Sequence, residues 1–320
     1  MLDLFSKPKK RKAGLKVLAY GKEGTGKTLF ALTFPAIALI DAESGSTFYQ
    51  GTEDGKNIVL VANTQNFKEY SEAIEAIGEV AEEQGILTFV TDSLTKIRQN
   101  LSDAVLTVDI KRNRRNGLDD ADLNSNISQR SWGTIGNISK RQQNQKIDLS
   151  NSVNIVDIAQ EANVTNKDGE VIGVKPDIDK AAPYDYDIKL RFITKEKPDG
   201  TTQFLAIVEK DRTKTFKSGD IIENPSYDLW AHVLDDRKDS DTITTSYTDG
   251  IDNAKKSYEK DVENDEKDLL EQIKDMKEAL PEEEYKAMSD EIKKARLTKV
   301  ASLSVTQREK LKGILDKYRK

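Results

Sequence analysis

The chain has 320 residues, 33% of them charged, and a formal net charge of −6. It contains no cysteine and a single histidine, which excludes disulfides and thiolate metal sites and argues against a histidine metal cluster or a Ser-His-Asp triad. No apolar run approaches the roughly 18 residues of a membrane span and no signal peptide is visible, so we expect a cytoplasmic protein without membrane contact.

Strand-like and helical patterns alternate along the first two thirds of the chain. Apolar runs predict strands at LKVLAY, AIALID, NIVLVA, ILTFVTD and VNIVDIAQ. The segment from Asn66 to Gln84 has a helical period, with Asn63, Thr64 or Asn66 as its cap and Gly85 as its stop. YDIKLRFIT and QFLAIVEK flank a Pro-Asp-Gly turn and predict a hairpin. We therefore expect an α/β domain with a mainly parallel central sheet and an antiparallel edge hairpin.

Composition divides the chain into four segments. Residues 1–14 form a basic tail, and its PKKRK run reads either as a nuclear-import signal or as a nucleic-acid contact. We predict an α/β domain over 15–234, a polar linker over 235–252 and a helical region over 253–320. In the last region Pro281 suits the first turn of a helix, and Ser304 with Gln307 spells a capping box.

The stretch GKEGTGKT follows the first predicted strand and precedes a predicted helix. It meets the phosphate-loop pattern G-x-x-x-x-G-K-[ST] in the context that confirms that pattern. Glycines let backbone N–H groups approach phosphate oxygens, the lysine reaches the β- and γ-phosphates, and the threonine hydroxyl ligates Mg²⁺. The predicted nucleotide-binding residues are Gly21, Lys22, Glu23, Gly24, Thr25, Gly26, Lys27, Thr28 and Leu29.

Two acidic segments follow later strands. AIALID ends at Asp41, with Glu43 just beyond it, and ILTFVTD ends at Asp92. A phosphate-loop enzyme needs one carboxylate for Mg²⁺ and often another to activate water, so the two segments suggest a division of labour. The alternative for each acid is a sheet-edge or helix-capping role.

From Leu15 to Leu234 these motifs resemble the RecA-like ATPases, and most closely the short phage-encoded RecA-like recombination proteins. The resemblance implies ATP and Mg²⁺ as cofactors, Glu43 as the catalytic base with Asp41 as its structural neighbour, and Asp92 with Thr28 at the metal. It also implies catalytic roles for Lys27 and for Gln160 as the sensor of the γ-phosphate.

The same resemblance implies an inter-subunit site. Lys210 and Arg212 occupy the place of a basic pair that reaches the neighbour's nucleotide, so we expect a homo-oligomer. The segment before the core is short compared with full-length recombinases, which argues against a long stable filament. If the gene is phage-encoded, the location is the cytoplasm of the bacterial host cell.

Basic residues between Asp92 and Gln160 occupy the interval of the family's first DNA-binding loop. They are Lys111, Arg112, Arg114, Arg115, Arg130, Lys140 and Arg141. They fit the phosphates of single-stranded DNA, whereas the simpler interpretation is a solvated surface. Trp132 could stack on an unpaired base or anchor a core. The turn-rich residues after Gln160 resemble a second, flexible DNA-binding loop.

We therefore expect an Mg²⁺-dependent ATPase that binds single-stranded DNA in recombination or strand annealing. The alternatives are a ring helicase or loader, and a nucleotide-dependent regulator with incidental ATP turnover. A small-molecule kinase is disfavoured because no lid arginine cluster is visible. The C-terminal helices could serve annealing, docking of a single-strand-binding protein, bracing of the core, or simply solubility or oligomerisation.

Overall fold

The computed structural model describes residues 7–115, 117, 127–243 and 245–319. Its strands are β1 Arg11–Lys12, β2 Lys16–Gly21, β3 Ile37–Asp41, β4 Ile58–Ala62, β5 Thr88–Asp92, β6 Asn154–Thr165, β7 Val171–Pro176, β8 Ile188–Glu196, β9 Thr202–Asp211, β10 Ile221–Glu223 and β11 Asp241–Thr242. Its helices are α1 Lys27–Leu32, α2 Phe67–Val80, α3 Leu94–Arg115, α4 Gln129–Leu149, α5 Asp228–Asp235, α6 Tyr247–Ala279, α7 Glu282–Lys294 and α8 Val305–Tyr318.

The main sheet has the order β10-β9-β8-β2-β6-β5-β3-β4, and β7 pairs with the outer part of β6. Strands β8, β2, β6, β5, β3 and β4 are parallel, whereas β9 and β10 add antiparallel strands at one edge. This confirms the predicted α/β class with a mainly parallel sheet, an antiparallel hairpin and C-terminal helices. It also places β6 between the phosphate-loop strand β2 and the strand β5 that ends at Asp92.

Apolar side chains cover both faces of the sheet. On one face, Phe30 of α1 and Trp230 of α5 pack edge to face over the central strands. Trp230 is fully buried, and its indole N–H donates to Asp211 at 3.1 Å. On the other face, Tyr70 and Ile74 of α2 pack against Phe89 of β5. Of the three residues predicted to cap α2, Asn66 is the one that does so, since its side chain accepts from the backbone N–H of Lys68.

The interval after β5, predicted as a DNA-binding loop, holds two long helices instead. Asp109 of α3 joins them, since its carboxylate accepts from the hydroxyl of Ser131 at 2.7 Å and from the backbone N–H of Ser128 at 3.1 Å. Polar and basic side chains dilute the apolar period of both helices, and that is why the pattern alone missed them. The acidic run at 119–122 lies outside the described residues.

The helix pair extends past the carboxyl edge of the sheet. Lys146 of α4 bonds Asp157 inside β6, and α4 ends at Leu149, close to the amino end of that strand. From the Lys146–Asp157 pair, Ser131 lies about 22 Å away along α4, whereas Gln160, where β6 leaves the sheet, lies only about 10 Å away along β6. The start of α4 therefore lies beyond the edge of the sheet. We refer to α3 with the N-terminal half of α4 as the helical arm.

The segment after Gln160, predicted as a flexible loop, is ordered. Beyond its pairing with β2, β6 continues to Thr165 and pairs with β7 in an antiparallel hairpin. The Asn166 side chain closes the turn by accepting from the backbone N–H groups of Asp168 and Glu170. The turn residues of this segment therefore mark the hairpin tip. This hairpin and the helical arm leave the sheet at the same edge.

The chain divides into two compact units, Met1–Thr248 and Asp249–Lys320. The second unit has its own core of apolar side chains from α6, α7 and α8, among them Leu269, Met288 and Leu311. The capping box predicted at Ser304 and Gln307 is confirmed, and Pro281 lies at the N-cap of α7, one position before the first turn.

The predicted division into a basic tail, a domain, a linker and a helical region stays a prediction. In the first unit, β1 pairs with β11 from the predicted linker, and Lys10 forms an ion pair with Asp236 at 2.8 Å. Within the described ranges, no helix is long and apolar enough to cross a membrane.

Replacing Asp109 by alanine is expected to loosen the helical arm. Hydrogen bonds from Ser131 and Ser128 and the nearby Arg112 lower the pKa of Asp109, although partial burial opposes them. A lowered pKa stabilises the folded arm above the unfolded-state pKa, and this stabilisation is lost as pH falls through the folded-state value. We expect the amides at the start of α4 to exchange faster, by an amount that corresponds to a loss of about 1–3 kcal/mol in local stability at pH 7.

Hydrogen exchange measured by mass spectrometry, peptide by peptide, checks this expectation. The matched control is Asp103→Ala, an exposed acid of the same helix. Unchanged protection in Asp109→Ala, or equal loss in both variants, would contradict the assigned contact.

Candidate nucleotide site

The loop between β2 and α1 has the backbone that its glycines allow. A Cβ on Gly21 would lie 2.3 Å from the carbonyl oxygen of Phe192, so no other residue fits there without displacing β8. Gly26 has φ 88°, a left-handed conformation that favours glycine, and it caps α1. These two constraints set the path of the loop from the sheet into the helix.

Lys27 lies over this loop. Its ammonium donates to the carbonyl of Lys22 at 2.5 Å and approaches the hydroxyl of Thr25 at 3.4 Å. Burial lowers the pKa of Lys27, and the nearby carboxylates of Asp92 and Glu43 oppose that shift. The group is therefore a partly desolvated cation at the centre of the cleft, where its charge acts strongly on an anion.

Thr28 and Asp92 meet at the base of the cleft. The Thr28 hydroxyl donates to Asp92 Oδ2 at 2.6 Å, and Asp92 is buried. Burial raises the pKa of Asp92 to about 6, nearby Glu43 and Asp41 add to the rise, and the Thr28 hydrogen bond opposes it. This hydroxyl and carboxylate are hard oxygen donors of the kind that Mg²⁺ binds.

Glu43 is held by two donors, Ser93 directly after β5 and Gln160 in β6. Its Oε1 accepts from the Ser93 hydroxyl at 2.5 Å and from the Gln160 amide at 2.7 Å. Both bonds use the same oxygen, and Oε2 makes none with the residues described here. Asp41 has a structural role, since its carboxylate accepts backbone N–H groups of Glu43, Gly45 and Ser46 and so shapes the turn that presents Glu43.

The structure thus brings the sequence-predicted loop, metal and base residues into one cleft. Its lining adds three residues that sequence reasoning missed, Ser93, Ile158 and Glu161. Ser93 directly follows Asp92, so the TDS segment already contained it. Glu161 has an almost fully buried side chain and accepts from Arg191 at 2.8 Å, and this ion pair joins the end of β6 to β8. No sequence signal distinguished that pair from other charges.

These residues fit a nucleoside triphosphate with Mg²⁺. Backbone N–H groups and Lys27 match phosphate oxygens, and Thr28 and Asp92 would help to hold Mg²⁺, whose remaining ligands are usually phosphate and water oxygens. Over the described residues there is no cluster of three or more His, Cys, Asp or Glu side chains that could hold a metal. A Mg²⁺ site that shares the nucleotide's phosphates needs no such cluster.

Lys210 and Arg212 lie far from this cleft. Both donate to the carbonyl oxygen of Tyr184 at 2.9 Å, and Lys210 pairs in register with Lys189 near the start of β8. That end is the amino edge of the parallel strands, since Lys189 pairs with Leu18, about 10 Å along β2 from Gly21, and neither cation lines the cleft. The pair therefore does not reach the nucleotide cleft of its own chain.

The predicted DNA-binding residues fall into two groups. Lys111, Arg112, Arg114 and Arg115 form the last turn of α3, at the tip of the helical arm. On α4, Arg130 lies at the start, and Lys140 and Arg141 lie further along. Trp132 is 48% exposed and lies near the arm tip, so the alternative that it anchors a core does not hold.

Comparison with known proteins gives one family. Residues 13–218, well over half of the chain, match the sequence profile of the AAA_24 family, described as an AAA domain. Among solved structures, the chain is similar to a KaiC-like protein from the hyperthermophilic archaeon Pyrococcus horikoshii, with 14% identity and a TM-score of 0.39 over 66% of this chain and 85% of that chain. No curated protein matches the chain.

Replacing Asp92 by asparagine is expected to stabilise the protein in the absence of ligands while weakening Mg²⁺ binding. Because folding raises the pKa of Asp92, protonation of Asp92 stabilises the folded state. This stabilisation is fully present below the unfolded-state pKa and is lost as pH rises through about 6. Asparagine keeps the neutral form at every pH. We expect a gain of about 1–3 kcal/mol at pH 7.5.

Thermal unfolding of both proteins without nucleotide or metal tests this. The difference in stability should shrink at pH 5, where Asp92 is itself largely protonated, and the exposed Asp54→Asn should show no such change. A gain that is equal at both pH values, or no gain, would contradict the assigned environment of Asp92.

Proposed function

Because the chain belongs to the AAA_24 family of AAA domains, a P-loop ATPase class of the AAA/RecA-like type, we propose that it is an Mg²⁺-dependent ATPase that binds single-stranded DNA in homologous recombination or strand annealing. Such ATPases generally use ATP with Mg²⁺, which neutralises phosphate charge and aligns the γ-phosphate for attack. The observation that carries the hydrolytic part is Glu43, held by Ser93 and Gln160 beside the phosphate loop.

The roles follow from the contacts. Lys27 and the loop amides hold the phosphates, and Thr28 with Asp92 positions Mg²⁺. Ser93 and Gln160 fix Glu43 through Oε1, so that Oε2 can accept a proton from the attacking water. Glu43 is therefore the general base, and Ser93 is a positioning residue.

Gln160 supports a link between hydrolysis and DNA. Its side-chain amide donates to Glu43, and its backbone N–H donates to the Thr95 hydroxyl at 3.0 Å, which fixes the backbone at this position. The same strand continues directly into the β6–β7 hairpin. A displacement of Gln160 by the γ-phosphate therefore moves the base of that hairpin.

The DNA part is supported by the helical arm. Its tip carries four basic residues and an exposed tryptophan, and it leaves the sheet at the edge that holds the nucleotide cleft. Cations bind phosphates without sequence preference, and an exposed indole stacks on an unpaired base. We place single-stranded DNA along this edge, between the arm and the hairpin.

The oligomer is supported by Lys210 and Arg212. These cations lie at the edge opposite to their own cleft, which is where a group that acts on a neighbour's nucleotide must lie. We therefore propose a homo-oligomer in which this pair completes the site of the next subunit. A single-strand-binding protein is a further partner that suits this function.

Glu43→Gln is expected to keep ATP binding and to lower turnover about 10²–10⁴-fold, because the amide still accepts both hydrogen bonds but takes no proton. Lys27→Ala should lose ATP binding itself. Phosphate release and fluorescent-nucleotide binding, each with and without single-stranded DNA, separate the two effects.

The exposed acid Glu53→Gln is the matched control and should behave as wild type. Normal turnover in Glu43→Gln would overturn the assignment of the base. Turnover that does not rise with DNA would remove the DNA part of the proposal and leave the ATPase standing.

Charge reversal at the arm tip is expected to weaken DNA binding. Lys111→Glu with Arg115→Glu should lower affinity for a single-stranded oligonucleotide and flatten its salt dependence, by about 0.7 in log K per log salt for each lost phosphate contact. Fluorescence anisotropy at several salt concentrations measures both quantities.

The control reverses two exposed cations outside the arm, Arg237→Glu with Lys238→Glu. Equal weakening in both double variants would mean that net charge, and not the arm, determines binding. An unchanged salt slope in the arm variant would exclude the tip as the DNA contact.

A further inference from the structure

The C-terminal unit separates its charges along the chain. Residues 249–291 contain 16 acidic and 7 basic residues, whereas residues 292–320 contain 10 basic and 2 acidic ones. Part of this basic segment is used inside the unit, since Arg308 and Lys312 of α8 pair with Asp265 of α6. Of the other cations, Lys294 lies at the end of α7, and Lys310 and Lys317 lie on α8.

Those cations surround an open groove between α7 and α8. Lys294 and Lys310 line it and form no ion pair with the described residues. Lys317 and Glu291 also line it and bond each other at 2.5 Å, so three cations face one acid there. The groove has a volume of about 710 Å³. Small-molecule clefts span about 300–1,000 Å³, so this groove is large enough for a few side chains of a peptide rather than a single ion.

The floor of the groove is apolar. Ala295 and the buried Ile314 form it together with Gly313 in the middle of α8. Glycine is one of the least favourable residues inside a helix. Packing does not require it here, because a Cβ on Gly313 would meet no atom within 4 Å. Its effect is to keep the floor of the groove open.

A second residue beside the groove also departs from local preference. Arg296 directly follows Ala295 and has φ 58°, a left-handed conformation in which glycine is the usual residue after a helix. The unit thus has an arginine where glycine is favoured and a glycine where alanine is favoured. The glycine lines the groove, and the arginine directly follows the lining residue Ala295. Such departures from local preference concentrate at functional sites.

We propose that this groove binds an acidic peptide segment of a partner protein, in which carboxylates flank an apolar side chain. The carboxylates pair with Lys294, Lys310 and Lys317, and the apolar side chain contacts the floor at Gly313 and Ile314. Charge complementarity selects the acidic ligand, and the apolar floor selects a peptide over a nucleic acid. No aromatic side chain lines the groove, whereas sites for unpaired bases use aromatic stacking.

The test uses the full chain and fluorescence anisotropy. The probe is a short labelled peptide in which aspartates flank one phenylalanine, and comparison peptides replace the aspartates by asparagine or the phenylalanine by glycine. We expect the parent peptide to bind and each replacement to weaken binding. Reversing both free lysines, Lys294→Glu with Lys310→Glu, should weaken it roughly tenfold or more, because two attractions become repulsions.

Gly313→Leu fills the floor without changing charge and should block the peptide. Leucine is a better helix former than glycine, so thermal unfolding should stay unchanged or move upward. The matched control is Lys260→Glu, an exposed cation of α6, which should bind as wild type.

Three results would overturn the proposal. The parent peptide does not bind, or it binds equally well to the lysine and Gly313 variants. Alternatively, a single-stranded oligonucleotide loses affinity in the lysine variant while the peptide never binds, which assigns the groove to nucleic acid. None of these results depends on ATP hydrolysis, so the proposed ATPase is tested separately.

Discussion

The parallel register of β2, β6, β5 and β3 brings Gly21, Gln160, Asp92 and Asp41 to one edge of the sheet, and the candidate site depends on that register. Gly21 pairs with Gln160, and Asp41 pairs with Asp92, so the phosphate loop, Gln160, the turn that carries Glu43 and Asp92 meet without any long loop. Parallel strands share a carboxyl edge by construction. Even the glycine requirement comes from this packing, since the carbonyl of Phe192 on β8 occupies the space of a Cβ on Gly21.

Strand β6 connects the site to the rest of the domain. In its middle, Asp157 is fully buried and paired with Lys146 of α4 at 2.6 Å, with the Tyr186 hydroxyl as a second partner. A buried charge without its partner is costly, so this pair fixes α4 on the sheet and with it the helical arm. At its end, β6 supplies Gln160 and then the hairpin. One strand thereby joins the nucleotide cleft to both elements that leave the sheet beside it.

Local patterns predicted some elements well and others poorly. The phosphate loop, the buried strands and the hairpin β8–β9 were recognisable because their apolar periods and turn residues are local properties. The helices α3 and α4 were missed because much of their contact with each other is polar, as between Asp109 and Ser131. The hairpin after Gln160 was taken for a flexible loop because its turn-forming residues carry no information on strand pairing.

The sequence by itself determined the α/β class, the phosphate loop and the residue types near it, since these follow from short-range periodicity and motif chemistry. Only the tertiary structure decided which groups meet. Glu43 and Gln160 are 117 positions apart, and their contact exists because the strand register brings Gln160 of β6 to the same sheet edge as the turn after β3. The opposite position of Lys210 and the open groove at Gly313 were equally invisible, because strand direction and helix packing are long-range properties that no local pattern encodes.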